Sequence, residues 1–280
     1  MIMPGEFRQF CLDPRFLARQ TCAEYNSAVP RPTLSPSKFT CYLACPQKYH
    51  WTYVSARGKW YLRARSYYSF GSSLHRVLEL FHQSGDQGVP TTAEALASLE
   101  ENWIDAGYTS AEEMQEAYGE GKAIITEYVE AHLAAPSKGT TLAVEKRLKR
   151  TMNTWDLLGR ADRLDEHEDG TIEILDYKSG RQAVTSEDVS NDLAMSAYAL
   201  MVQDLYPDRS IMASIIALRS GDKASHIFSK DEQSEFAFSL QELGDRILNH
   251  EWAEVEIQRK ALCNDCDFLK LCQKDPRYGG

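Results

Sequence analysis

Asp162, Asp176 and Lys178 stand on either side of the polar run 165–169 and a single Gly170. Leu157, Leu158, Ala161 and Leu164 precede that run, and Ile172, Ile174 and Leu175 follow it, so the stretch reads as two strands joined by a tight turn. With 168–170 as a three-residue loop and Gly170 in the left-handed position, His167 faces Thr171 and Asp162 faces Asp176. A two-residue Asp169-Gly170 loop would instead set Asp162 against Tyr177. Side chains alternate along a strand, so Asp176 and Lys178 share a face, and Asp162 joins them from the neighbouring strand. Opposed residues have Cβ atoms about 5 Å apart. Two carboxylates that close repel unless a proton or a divalent cation sits between them. The group is a candidate metal site; a ribbon of solvated surface charges is the competing reading.

A second constellation is Cys263-Asn-Asp-Cys266-Asp-Phe-Leu-Lys-Leu-Cys272. C-x-x-C spacing lets two thiolates reach one metal centre, and the third cysteine supplies most of a shell. A closed tetrahedral set needs a distant fourth ligand, for which Cys45 in Cys45-Pro46 is the first choice and Cys41 the second. Zinc, an iron–sulfur cluster, a redox pair and buried thiols all remain open on spacing alone. The total of seven cysteines is odd, which argues against a fully paired disulfide framework.

The elements that must position these residues follow from periodicity. Ser35 and Pro36 suit the cap and first turn of a helix that Cys45-Pro46 interrupts. A second helix is expected after Gly71, with Leu74, Val77, Leu78 and Phe81 as its buried stripe and His75 at the stripe's edge. On that reading His75 is a core-edge histidine paired with Glu79. Residues 91–103 and 111–133 read as helices, with loops at 86–90 and 136–139. From Thr141 the period switches to strand: 142–148 carries Glu145, and the hairpin follows. A helix over 186–206, a buried strand over 211–218, a partner strand over 224–228 and a helix over 231–250 complete the pattern. The chain is therefore expected to be a lead-in at 1–33 followed by one α/β domain at 34–280. Within that domain, 34–140 is helical, 141–250 forms the sheet core and 251–280 carries the cysteines.

Composition bounds the function. The chain has 280 residues, 43% hydrophobic and 26% charged, and a net charge of −10, which argues against nonspecific coating of nucleic acid. A locally basic groove is still available from two segments. Residues 57–68 interleave Arg57, Lys59, Arg63 and Arg65 with Trp60, Tyr61, Tyr67 and Tyr68, and Lys146, Arg147, Lys149 and Arg150 form the second. No apolar run approaches the roughly 20 residues that cross a bilayer, and the first residues carry no apolar signal core, so a cytoplasmic site of action is expected. No Walker A motif is present, which excludes a P-loop ATPase motor of that kind.

Taken in order, Ser35-x-x-Lys38-Phe39, Cys45-Pro46, Gly71-x-x-x-His75, Glu145, Gly159-x-x-Asp162-Arg163, Asp176-x-Lys178, Tyr198 and Cys263-x-x-Cys266-x5-Cys272 resemble the RecB-like nucleases of the PD-(D/E)xK superfamily. The similarity is closest to their iron–sulfur branch, which contains the CRISPR-adaptation exonuclease and its phage relatives. The resemblance spans residues 35–272 and implies a restriction-endonuclease-like fold, a mixed β-sheet flanked by helices. A helical region tethered by the cluster would join the terminal segments. It also implies a Mg²⁺ or Mn²⁺ site from His75, Asp162, Asp176 and the Tyr177 carbonyl, with Lys178 as the catalytic lysine. Glu145 is then a partner behind that shell or a ligand to a second metal. Tyr198 and Arg163 are the candidate DNA-contacting residues. Cys45, Cys263, Cys266 and Cys272 would hold a structural [4Fe–4S] cluster, which lifts iron over zinc. The implied substrate is single-stranded DNA or DNA ends, with recombination, replication or CRISPR-adaptation proteins as partners. One departure stands out: the family's Gln-x-x-x-Tyr places Ala194 where the glutamine belongs, with Asn191 as a substitute nearby. A nuclease fold that binds DNA without cutting it is the rival expectation.

Overall fold

The period-two stretches assemble into one mixed sheet in the computed structural model, which describes residues 30–83, 88–136, 139–180 and 183–279. The chain divides into the units Met1–Pro32 and Thr33–Gly280, and the second carries everything described below. Residues 1–29 of the expected lead-in, and parts of the loops expected at 86–90 and 136–139, lie outside the described residues.

Strands β1 (Thr33–Leu34), β2 (Thr140–Thr151), β3 (Asp156–Glu166), β4 (Ile172–Lys178), β5 (Ile211–Ala217) and β6 (Asp222–Ile227) form the sheet. β2 pairs antiparallel along one edge of β3; the other edge of β3 takes β1 in parallel at its start and β4 antiparallel at its end. β5 runs parallel to β4, and β6 closes antiparallel on β5. A parallel pair cannot be joined by a hairpin, so β4 and β5 are linked by a helical crossover, α6 (Ser186–Ser190) and α7 (Leu193–Leu205).

The sheet is covered on both faces. Ile172, Ile174, Ile211, Ala213 and Ile215 pack with α7, α1 (Pro36–Ala44) and α8 (Lys230–Leu248) in one core. Leu175, Tyr177 and Ile216 join α3 (Ser66–His82), α4 (Thr92–Glu101) and α5 (Ala111–Ala134) in the other. Burial on both faces explains why β4 and β5 read as nearly continuous apolar runs. Where α7 crosses β3, Gly159 leaves room for it: a Cβ there would stand 2.5 Å from Met201 Cε and 2.8 Å from the Tyr198 ring.

Boundaries differ from expectation at several points: β2 runs three residues beyond the expected end at 148 and β6 starts two before 224. α3 begins at Ser66, five residues before Gly71, because Gly71 sits inside the helix where a Cβ would meet Ser179 Oγ at 3.0 Å. The expected helix over 186–206 is broken at Asn191-Asp192, and the Asp192 carboxylate caps α7 by accepting from Ala194 N and Met195 N. Thr33 belongs to β1, which makes it part of the sheet and not of the lead-in. The helix break at Cys45 is as expected: Cys45 is extended, ends α1 and caps α2 (Pro46–Tyr49), its sulfur accepting from Lys48 N.

Candidate active site

The hairpin register decides the site. His167 N donates to Thr171 O, Gly170 sits at φ +84°, and the ladder runs Glu166↔Ile172 through Arg163↔Leu175. The next step sets Asp162 across from Asp176, as the three-residue loop requires. There the backbone ladder gives way to a side chain: Asp162 Oδ2 accepts from Tyr177 N at 2.9 Å. His75, on α3, completes the contact, with Nε2 donating to Tyr177 O at 2.8 Å and Nδ1 lying 3.3 Å from Asp162 Oδ2. Glu79 is bonded to Arg76 instead of His75. Lys178 Nζ lies 2.7 Å from Asp176 Oδ2.

Glu145 enters from the other side of β3. Val144 pairs with Arg163 and Lys146 with Ala161, so Glu145 stands opposite Asp162. One ligand atom from each of His75, Glu145 and Asp162 lies within 4.8 Å of the others. Glu145 is the one non-glycine residue at positive φ among the described residues, at +49°. Such a backbone costs on the order of 1–3 kcal/mol and persists where its surroundings force it. Here the carboxylate it carries stands beside His75 and Asp162.

Electrostatics match that crowding. Burial, opposed by Lys178 and reinforced by Asp162, pushes Asp176 up to about 6. Burial disfavours the charged form of His75, but the bonded Asp162 and the nearby Asp176 outweigh it and lift the imidazole to about 8. Burial also works against the Lys178 ammonium, and Asp176 more than restores it. Burial raises Glu145 against the pull of Arg160 Nε, 2.6 Å away. Asp176 Oδ2 and Glu145 Oε2 are buried without an aligned hydrogen-bond donor, their cations lying close but off the hydrogen-bonding direction. Buried, ion-paired carboxylate oxygens beside an imidazole and the carbonyl it bonds form a hard, mostly oxygen donor set, which fits a divalent cation of the magnesium or manganese type.

His75, Asp162, Asp176 and Lys178 line a cleft of about 1550 Å³, and a second of about 800 Å³, lined by Glu145 and Tyr177, meets it at His75, Asp176 and Lys178. Tyr198, Asn191 and Ala194 line the larger cleft. Asp192, which sequence reasoning missed, contributes to the raised pKa values of both Lys178 and Tyr198; its signal was the cap position ahead of α7. Arg160 was missed too, although it lies two residues from Asp162 on the same strand. Arg163 departs from expectation. Alternation turns it to the opposite face from the cleft, where it is 4% exposed, pairs with Asp165 at 2.8 Å and donates to Tyr177 Oη and Tyr128 Oη. It braces the side chain of Tyr177 and does not face substrate. The basic segments also differ: Arg63 and Arg65 pair with Asp267 and Asp265, Lys149 with Asp156, and Arg150 with Asp204.

The cysteines gather away from these carboxylates. Cys45, Cys263 and Cys266 each raise the pKa of Cys272, which burial foremost and these thiols after it push up to about 11 despite a Trp51 hydrogen bond. Cys41 packs against the main core and is also raised by Cys45 and Cys266, so it stands beside the same group. Trp51, Phe268 and Leu271 form an apolar cluster that Cys266 and Cys272 join. Four thiols with a dry flank fit a thiolate-bound centre.

The profile of the PD-(D/E)XK nuclease superfamily matches residues 33–273, which takes in the whole sheet and both clusters. The chain belongs to this superfamily. Its nuclease fold, a mixed sheet flanked by helices, is the one described above, and divalent metal is the cofactor class such nucleases use. Among solved structures, one from Eubacterium rectale named "Putative exonuclease" is similar at 13% identity, covering 89% of this chain and 92% of that one, with a TM-score of 0.49. Another, named SSO0001, is similar at 13% identity over 74% of this chain and 95% of that one, with a TM-score of 0.33. No curated protein matches. No helix among the described residues is long and apolar enough to cross a membrane.

The His75 shift has a direct consequence for stability. Its folded pKa of about 8 exceeds the ordinary histidine value, so the folded state binds the extra proton. That contribution is complete below about pH 6.5 and is lost as pH rises through about 8. Chelator-treated protein should therefore show a falling urea midpoint across this window, and His75→Gln should flatten the fall. A wild-type midpoint that is level or rising across it contradicts the assignment.

Proposed function

We propose that this superfamily member is a metal-dependent DNA exonuclease acting on single-stranded DNA or DNA ends. It would work in the cytoplasm, in recombination, repair or CRISPR adaptation. The observation that carries this reading is Asp162 opposite Asp176, with His75 and Lys178 beside them, on the floor of an open cleft. Asp162, Asp176, His75 and the Tyr177 carbonyl would hold Mg²⁺ or Mn²⁺, with Glu145 behind or at a second ion. When bound, such a cation polarises the scissile phosphate and acidifies water. Lys178 keeps its charge through its pairing with Asp176 and is placed to donate to phosphoryl oxygens as negative charge builds there. Asp162 keeps the Tyr177 peptide oriented, so its carbonyl points to the imidazole and not into the ladder.

Cys45, Cys263, Cys266 and Cys272 would hold a [4Fe–4S] cluster that fastens the two ends of the domain. Mononuclear zinc, with Zn–S bonds of about 2.3 Å, would draw sulfurs to about 3.8 Å of one another. Cys45, Cys263 and Cys266 all act on Cys272, which supplies the four thiols that either centre needs. A DNA-binding scaffold without cleavage has one observation in its favour: position 194 offers the cleft only a methyl group.

Asp176→Ala and Lys178→Ala should each lower Mn²⁺-dependent cleavage of end-labelled single-stranded DNA by on the order of 10²–10³ with the fold intact by circular dichroism. Cleavage unchanged in both contradicts the mechanism; wild-type protein that binds but never cuts selects the scaffold. Anaerobically purified protein should be brown, with iron and acid-labile sulfide in equal amounts, and Cys266→Ser should lose both. Zinc in place of iron overturns the cluster assignment.

A further inference from the structure

The wall of the larger cleft carries two of the rings that the segment 57–68 interleaves with cations. Tyr67 and Tyr68, in the first turn of α3, are 56% and 66% exposed, and Tyr53, which lines the same cleft, is 43% exposed. Apart from Lys48, the cations that line the cleft are already ion-paired, Lys178 with Asp176. Arg63 and Arg65 are spent on Asp267 and Asp265, Arg160 faces Glu145, and Glu187, Asp188 and Asp192 line the same cleft. A wall of this kind has little to attract a phosphate chain and much to attract flat, π-faced groups.

Helical geometry ties those rings to the reacting centre. Tyr68 and His75 are seven residues apart, so they share a face of α3, about 10 Å apart along its axis. Tyr67 and Tyr68 stand where the two clefts meet, alongside His75, Asp176 and Lys178. Their ring centroids are 4.4 Å apart and tilted by 52°, so the two faces are offered in different directions.

We infer that Tyr67 and Tyr68 form a base-stacking platform that selects unpaired DNA and holds a nucleotide flanking the scissile phosphate. The inference takes the larger cleft as the substrate channel of the nuclease proposed above. A duplex keeps its base faces stacked inside the helix and cannot use the platform; a single strand can lay its bases on the rings. Stacking of this kind contributes about 1–3 kcal/mol per base. Because Arg63, Arg65 and Arg160 are already paired, affinity should respond weakly to salt, as expected when few phosphate counterions are released.

Binding of labelled oligothymidylate, and of a blunt duplex of equal length, is measured by fluorescence anisotropy in chelator, where cleavage plays no part. Wild-type protein should prefer the single strand and show a shallow salt dependence. The double variant Tyr67→Ala/Tyr68→Ala should lose on the order of 10–100-fold in single-strand affinity, and Tyr67→Phe/Tyr68→Phe should restore most of it. Duplex bound as tightly as single strand, or an alanine variant that binds like wild type, overturns the inference even where the protein cuts DNA. Protein that binds single strands through these tyrosines but never cleaves leaves the platform standing and removes the nuclease.

Discussion

Two carboxylates on facing strands, one of them nearly out of reach of water, repel each other, and the surrounding structure is arranged to hold them there anyway. Asp176 is 7% exposed and Asp162 is close by. Folding brings Glu145 to the same spot at the cost of a left-handed backbone within a strand. Three acidic groups, an imidazole and an ammonium in one place lower stability when nothing links them. The imidazole of His75 links two acceptors, its Nε2 donating to the Tyr177 carbonyl and its Nδ1 facing Asp162. A cation at the point where His75, Glu145 and Asp162 come together would satisfy these acceptors at once.

The rest of the fold serves that point from behind. Tyr177 presents its carbonyl to the site while its side chain is gripped on the other face by Tyr128 and Arg163. Arg163, Asp165, His82 and Tyr128 make a buried polar cluster, and burial together with Arg163 drives His82 down to about 2, keeping it neutral. Breaking a buried charge pair of this sort typically costs about 3–5 kcal/mol, so the cluster anchors β3 and β4 in the one register that works. The cysteine segment holds the cleft from the other end. Asp265 and Asp267 fix Arg63 and Arg65, and Lys260 Nζ donates to Ala44 O at 3.0 Å. Disturbing the thiol centre therefore reaches the cleft wall through ion pairs.

The hairpin was legible because its signals are local. One glycine, a polar tripeptide and strict alternation fix the facing of Asp162 and Asp176, and the ladder follows that count. The cap at Ser35 and the break at Cys45-Pro46 are equally local. The start of α3 was not legible, since Gly71 looks like a helix boundary and is in fact a close approach to Ser179. Arg163 was misread although alternation alone turns it away from Asp162; a family motif placed the two together, and neighbours on a strand face opposite ways. The ion pairs of Arg63 and Arg65 were not legible for a different reason. Their partners Asp265 and Asp267 lie some 200 residues away, and no sequence window contains both. Asp192 was hidden inside what read as one continuous helix.

The central claim is that His75, Asp162, Asp176 and the Tyr177 carbonyl converge on one divalent ion. Crystals soaked in Mn²⁺ and measured at the manganese absorption edge test it most directly. The account predicts an anomalous peak bounded by those four groups, lost in Asp162→Ala crystals grown and soaked alike. A well-ordered site with no peak, or a peak held by other residues, would contradict it.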